Sequence, residues 1–336
     1  MPVDAGYAAL SDNLLVVTIL AYAVAMLLYA VEYAFGNRGR VAVAASAPAS
    51  REARVLVGAG GGPSTVAAGP DSVTPGVRRT RTVAFGRMAV FLTLVGWAAH
   101  LGCLTFRGLA VGRAPWGNMY EFAVAATLVA VTAYLVLLWR QPVRYLGAFV
   151  MVPVVLLLGL AGTVLYTRAA PLMPALQSYW LWIHVSMITL ACGIFLVGFT
   201  TSVLYLVRAR YERRVVASAP VRFPTSLGVR LPAADRLEQV TFRVIALGFP
   251  ILTFAVIAGA IWAEAAWGRY WGWDPKETWA FITWVIYAAY LHARSTAGWR
   301  GRRAIGLALL GWAAMMFNLF GVNILISGLH SYAGLS

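Results

Sequence analysis

The stretch LWIHVSMITLACGIFLVGFTTSVLYLV, residues 181–207, contains no Asp, Glu, Lys or Arg. A helix of about 20 apolar residues crosses the ~30 Å hydrocarbon layer of a bilayer, so this stretch is long enough to span a membrane. Further apolar runs of about 20 residues recur along the chain. We predict transmembrane helices at about residues 13–35, 84–106, 118–139, 145–166, 181–207, 241–263, 275–293 and 303–326.

The composition of the 336-residue chain excludes a soluble enzyme. Hydrophobic residues make up 61% of the chain and charged residues 12%, whereas soluble domains carry about 25% charged residues. Cys103 and Cys192 lie inside apolar runs and form no C-x-x-C pair, so we interpret them as buried small hydrophobic residues. The predicted fold class is an all-α polytopic membrane protein with about eight transmembrane helices.

The basic residues are sorted by this predicted topology. The net charge is +15, and all but five of the 27 Lys and Arg residues fall in one set of alternate loops or at the adjoining helix ends. The exceptions are Arg107, Arg113, Arg168, Arg269 and Lys276. Since strongly basic loops stay in the cytoplasm, we predict that both chain termini are extracytoplasmic. The charge therefore follows topology and gives no reason to expect a nucleic-acid partner.

Three segments follow from the spans and the loop composition. Residues 1–35 are predicted to form an N-terminal transmembrane helix. Residues 36–83 are rich in Ala, Gly, Ser, Pro and Val with scattered Arg, which predicts a flexible cytoplasmic linker. Residues 84–336 are predicted to form the main transmembrane domain, with an external loop at residues 262–279.

That loop, which we call the tryptophan loop (residues 262–279), holds five tryptophans and a tyrosine. Aromatic residues at a membrane interface ordinarily form an anchoring belt. Glycines between the rings instead favour a platform on which a flat ligand lies against the indoles. The residues we assign to this platform are Trp267, Tyr270, Trp271, Trp273 and Trp279.

The segment Asp274-Pro275-Lys276-Glu277 inside the loop has the pattern of a helix start. Asp at the N-cap, Pro at the first helical position and Glu at the third form a capping box. We interpret Asp274 and Glu277 mainly as residues that fix this helix start, with acid–base chemistry as the alternative.

The four histidines are the candidate metal ligands. The topology places His184 and His330 at the outer face, beside the tryptophan loop, and His292 roughly 25 Å deeper. Two histidines flanking an aromatic loop are what a bis-imidazole haem site requires, although isolated membrane histidines also form hydrogen bonds between helices. For His100 a packing or proton-handling role is favoured. The five outer cations are candidates for pairing with haem propionates, with no choice among them.

The segment WGRYWGWDPKETW, residues 267–279, resembles the WWD motif of haem-handling proteins for cytochrome c maturation. The wider set resembles the CcsA/ResC type of the system II cytochrome c synthase, labelled CcsB in actinobacteria. That set consists of RAPWGNMYE (residues 113–121), WIH (182–184), YLH (290–292) and GLHSY (328–332). The resemblance runs from about residue 84 to the C-terminus.

The resemblance implies a haem-handling domain at residues 84–336, in which His184 and His330 ligate the iron of non-covalent haem b outside the membrane. His292 corresponds to an intramembrane ligand whose companion comes from a ResB-like partner subunit. Asp274 belongs to the haem-binding motif. Vinyl groups exposed at this extracytoplasmic face of the bacterial plasma membrane then accept the thiols of a C-x-x-C-H apocytochrome c.

The implied function is cytochrome c biogenesis, as one subunit of a holocytochrome c synthase that also contacts membrane lipid. The alternative is a b-type electron-transfer membrane cytochrome, which also holds haem on helix histidines but keeps it in the hydrocarbon layer.

Overall fold

The computed structural model describes residues 3–35, 75–171, 178–326 and 328–329, with the backbone alone for residues 75–82. This described part is helical and contains no β-strand, which confirms the predicted all-α class. Its helices are α1 (Ala5–Phe35), α2 (Pro75–Val111), α3 (Met119–Arg140), α4 (Gly147–Thr163), α5 (Tyr179–Val216), α6 (Ala234–Trp267), α7 (Pro275–Ser295), α8 (Arg302–Met316) and α9 (Val322–Leu325). Short 3-10 helices cover Arg144–Leu146 and Thr225–Arg230, and a π-helical turn at Phe317–Gly321 joins α8 to α9.

Seven segments of the described residues are long and apolar enough to cross a membrane. They are Ala5–Phe35, Val83–Val111, Met119–Arg140, Arg144–Thr163, Tyr179–Val216, Ala234–Trp267 and Arg302–Leu325. Their length and composition confirm a multi-pass membrane protein. The span predicted at 275–293 is present as α7 but is not among the seven, because Trp, Tyr and Thr along it and polar residues at both ends lower its hydropathy.

Helix α7 nevertheless runs the length of the bundle beside α6. It begins where α6 ends, and Arg294 in its last turn pairs with Glu238 in the first turn of α6 (Nη1 to Oε1, 2.5 Å). The other carboxylate oxygen of Glu238 accepts a hydrogen bond from the backbone N–H of Gly301, 3.0 Å away. An antiparallel return over 21 residues covers about 30 Å.

The loops gather at two opposite ends of the bundle. At one end, the N–H of Asp4 before α1 donates to the carbonyl of Ala110 at the close of α2 (2.9 Å). At the other end, the Tyr33 hydroxyl in the last turns of α1 donates to the carbonyl of Leu227 (2.5 Å), in the loop between α5 and α6. The described loops therefore lie at two opposite ends of the bundle, while their assignment to a compartment stays a prediction.

Helices α1 and α2 pack most extensively against each other, as do α5 and α6, and α3 and α4 lie between these two pairs. Cys103 and Cys192 are buried in the resulting core, as predicted, and both are free thiols. His100 is fully buried and donates from Nε2 to the carbonyl of Val124 (2.9 Å), which leaves Nδ1 to accept from the Tyr22 hydroxyl (3.3 Å). These bonds join α1, α2 and α3 through the imidazole of His100, an arrangement that fits the packing alternative.

Of the predicted linker at 36–83, residues 36–74 lie outside the described residues. Helix α2 begins at Pro75, before the predicted span start at 84.

A buried ionic network fixes the segment between α2 and α3. Glu121 is fully buried, and its carboxylate accepts from Arg107 Nε (3.1 Å), Arg113 Nη1 (2.8 Å) and the N–H of Gly117 (2.7 Å). Arg107, which is 1% exposed, also donates to the carbonyl of Thr167. Two cations and one anion thus hold residues 113–118 against the start of α3.

Replacing Glu121 with Ala leaves the buried Arg107 without its carboxylate partner. Breaking a buried ion pair in this way costs about 3–5 kcal/mol. We expect the Glu121→Ala variant to unfold at a clearly lower temperature than the wild type when the purified protein is heated in detergent. Glu264→Ala is the matched control, because the Glu264 side chain is exposed and such changes stay within about 0.5 kcal/mol. Equal unfolding temperatures for the two variants would contradict the structural role of the network.

Candidate functional site

A cavity of about 210 Å³ lies at the end of the bundle where α3, α5 and α7 begin and α6 ends. Aromatic and aliphatic side chains supply most of its wall: Trp116, Met119, Phe122, Leu181, Val185, Ile188, Leu252, Val256, Trp262, Trp267, Tyr270, Trp271, Met315 and Leu319. The polar residues of the wall are Asn118, His184, Lys276, Glu277, Thr283 and Asn318. A largely apolar cavity with a few polar groups is typical of a binding site for an organic ligand or cofactor.

His184 lies in the second turn of α5 and lines this cavity. Its Nδ1 is 2.8 Å from the backbone carbonyl oxygen of Ala255 in α6. A carbonyl only accepts, so Nδ1 carries the proton and the lone pair of the imidazole lies on Nε2. Gly259 allows α6 to come this close, because a Cβ at that position would lie 2.6 Å from Nδ1.

Tryptophans of α6 continue the wall beside His184. The Trp262 ring is 2% exposed and stacks on the imidazole, with 6.0 Å between ring centroids and 13° between planes. Trp267 meets Trp262 edge-on at 4.9 Å. The last turns of α6 thus place two indoles next to the imidazole that faces the cavity.

Only residues 268–274 of the predicted tryptophan loop lie outside helices. Helix α6 ends at Trp267 because Gly268 adopts the left-handed conformation (φ 71°) that suits a residue without Cβ. The Arg269 side chain folds across Gly272, where a Cβ would lie 1.4 Å from Nη1. Gly272 therefore makes room for the Arg269 side chain. From the sequence we had expected a glycine here to allow a flat ligand to approach the backbone.

The start of α7 has the predicted capping box. The Asp274 side chain accepts from the N–H of Lys276 (3.4 Å), and Glu277 Oε2 accepts from the N–H groups of Asp274 (3.1 Å) and Gly272 (2.8 Å). Asp274 Oδ1 also accepts from the N–H of Leu329 (2.9 Å), near the end of the chain. Both carboxylates hold backbone in place, so Asp274 positions two segments and does not itself line the cavity.

The predicted aromatic platform divides into two groups. Trp267, Tyr270 and Trp271 line the cavity. Trp273 has a positive φ of 58° and is 64% exposed, and Trp279 packs on Phe317 with 4.3 Å between ring centroids. Neither Trp273 nor Trp279 reaches the cavity wall.

The remaining predicted iron ligands lie elsewhere. His292 is exposed near the far end of α7, where the N–H of Thr296 donates to its carbonyl. His292 is therefore remote from the cavity, in agreement with the depth below the outer face that we predicted from its distance along the helix. His330 lies outside the described residues.

Sequence reasoning missed two parts of the wall. Residues 116–119, held by the Glu121 network, line the cavity together with the tryptophan loop, although the resemblance alone drew attention to their segment. The π-helical turn contributes Asn318, whose buried Oδ1 accepts no hydrogen bond among the described residues, and Leu319. A π-turn shifts the register of a helix and leaves no residue pattern that would reveal it in advance.

Comparison with known proteins gives the family. The family described as "Cytochrome C assembly protein" matches residues 116–330. Three similar proteins carry the name "Cytochrome c biogenesis protein CcsA". That of Trieres chinensis is 38% identical over 68% of this chain and 81% of its own length. That of Guillardia theta is 37% identical over 70% and 84%, and that of Microcystis aeruginosa 36% identical over 70% and 83%.

The matched residues include the whole cavity wall, from Trp116 through the tryptophan loop to the π-helical turn. The family match therefore covers the helices from α3 onward together with the site. This chain belongs to the cytochrome c assembly protein family, among the CcsA proteins, and has a role in cytochrome c biogenesis.

Proposed function

We propose that the cavity binds haem b, with His184 as an iron ligand, and presents it for attachment to apocytochrome c. The observation that carries the proposal is the 2.8 Å hydrogen bond between His184 Nδ1 and the Ala255 carbonyl. A metal-ligating histidine characteristically donates its second ring nitrogen to a carbonyl or carboxylate, which fixes the tautomer and orients the ring. Here Nε2 is the atom left with a lone pair for iron.

The wall around His184 fits a porphyrin. Indoles of Trp262, Trp267 and Trp271 lie within one cavity with aliphatic side chains from α5 and α6. Flat aromatic and aliphatic surfaces pack well against a macrocycle, and they exclude water from the iron. The absence of a Cβ at Gly259 allows the imidazole to lie close to α6, and both residues line the cavity.

A second ligand is expected from His330. Leu329, the preceding residue in the chain, is hydrogen-bonded to Asp274 at the start of α7. Asp274 and the cavity residue Glu277 belong to one capping box. This bond supports the proposal that the C-terminal segment would supply an imidazole ligand next to the tryptophan loop.

His292 supports a partner subunit. It is exposed at the end of α7 opposite the cavity. An ionisable side chain on a transmembrane surface is costly against lipid and is usually covered by protein. We propose that a ResB-like subunit covers this position and supplies a companion ligand, so that haem is held there before it reaches the cavity.

The attachment itself is an addition reaction at the haem vinyl groups. Each thiol of the C-x-x-C-H apocytochrome adds its sulfur to one vinyl carbon and its hydrogen to the other, so a thioether forms and no leaving group departs. This chain holds the porphyrin edge in position for the two thiols. We place the cavity on the extracytoplasmic face of a bacterial plasma membrane, because the basic loops lie at the other end.

A variant lacking the His184 imidazole tests the iron ligand. We expect the haem content of His184→Ala to be at least about ten-fold lower than that of the wild type. Added imidazole should restore part of this haem content. His100→Ala also removes an imidazole, but from a packing site, so imidazole should not change its haem content. Absorbance spectra and haem assays on the purified complexes measure both. Wild-type haem content in His184→Ala would exclude this ligand.

The His292→Ala variant tests the second site. Because His292 is exposed, the unfolding free energy should change by less than about 0.5 kcal/mol. Holocytochrome c formation in cells with the ResB-like subunit should nevertheless fall several-fold. Arg300→Ala is the control, an exposed cation at the same end of the bundle. Equal cytochrome c yields from both variants would remove His292 from the route.

A further inference from the structure

The structure separates the five cations that share the cavity end of the bundle. Arg107 and Arg113 both form ion pairs with the buried Glu121 carboxylate. Arg113 donates in addition to the carbonyls of Ala114 (2.9 Å) and Ala170 (3.1 Å). Neither arginine lines the cavity.

The next two cations are also placed away from the cavity. Arg269 lies across Gly272, with Nη1 3.6 Å from Glu277 Oε1. Its charge therefore offsets that of the Glu277 carboxylate in the cavity wall. Arg168 is exposed and is not a wall residue.

Lys276 is the remaining cation, and it lines the cavity. It is the only lysine of the chain, and it forms no ion pair with any carboxylate of the described residues. The Asp274 carboxylate attracts this ammonium group electrostatically, but it also accepts hydrogen bonds from the N–H groups of Lys276 and Leu329. Glu277 pairs with Arg269 and accepts from two backbone N–H groups. Burying a positive charge in a largely apolar wall costs free energy, and a bound anion lowers that cost.

We propose that Lys276 binds a carboxylate of the ligand in this cavity, and on the function proposed above that carboxylate is a haem propionate. His184 and Lys276 line the same cavity from α5 and α7. A porphyrin there is therefore held at its centre by the imidazole and at its edge by the ammonium group. Two such contacts fix the rotation of the ring, and with it the direction in which the vinyl groups point. Lys276 is a specificity-determining residue for a porphyrin with free carboxylates.

The test compares haem with haem dimethyl ester, in which both propionate charges are removed. Purified full-length protein is titrated with each compound in detergent, and absorbance gives both dissociation constants. A buried charge-assisted hydrogen bond corresponds to about ten-fold or more in affinity. We expect the wild type to prefer haem over the ester by about that factor. Lys276→Gln and Lys276→Met should lose the preference by binding haem more weakly, with unchanged affinity for the ester.

Two further variants complete the design. Lys276→Arg keeps the positive charge and should keep most of the preference. Arg168→Gln removes an exposed cation from the same end of the bundle and should match the wild type. Binding of the ester by Lys276→Gln or Lys276→Met also shows that the site is folded.

Each other result overturns the proposal. A preserved preference in Lys276→Gln and Lys276→Met would mean that another group binds the propionates. Equal loss of both compounds would mean that Lys276 only supports the fold. A wild type that binds both compounds equally would refute the lysine contact but leave haem binding intact. A wild type that binds neither would refute the proposed function itself.

Discussion

The hydrogen bond from His184 to the Ala255 carbonyl joins α5 to α6 and sets the chemistry of the cavity between them. It orients the imidazole and fixes the tautomer that carries its proton on Nδ1, so that Nε2 is the basic nitrogen. The bond depends on a close approach of two long helices, which Gly259 permits and the stacked Trp262 supports from the side. The other walls matter because they enclose this one nitrogen in an apolar space.

Three ionic or capped structures hold those walls. The Glu121 network sets residues 113–118 on one side, and the Asp274–Glu277 capping box sets the tryptophan loop and the start of α7 on the other. At the far end, the Arg294–Glu238 pair holds the last turn of α7 against the start of the antiparallel helix α6. Each of these carboxylates contacts backbone or cationic groups from more than one segment, so each joins parts of the chain that are separate in sequence or in secondary structure. The protein thus uses its few carboxylates to place backbone around an apolar site.

Much of the architecture could be predicted from the sequence. The long apolar runs predict the helices, and the alternation of basic and less basic loops predicts two distinct ends of the bundle. The segment Asp274-Pro-Lys-Glu277 predicts the start of α7. The site was harder, because the sequence does not show which side of a loop faces inward. Trp271 and Trp273 are two residues apart, yet only Trp271 lines the cavity. Gly272 makes room for the Arg269 side chain, and Asn318 enters the wall through a π-turn. No residue pattern in the sequence reveals the path of that side chain or the position of the π-turn.

The most direct measurement is an experimental density map of this chain purified from haem-replete cells together with its ResB-like partner. We expect this map to show a disc of porphyrin size in the cavity between α5, α6 and α7. Its iron should be bonded to Nε2 of His184, and its macrocycle should contact Trp262, Trp267 or Trp271. A map in which lipid or a packed side chain fills this cavity, with the porphyrin absent or bound elsewhere, would contradict this expectation.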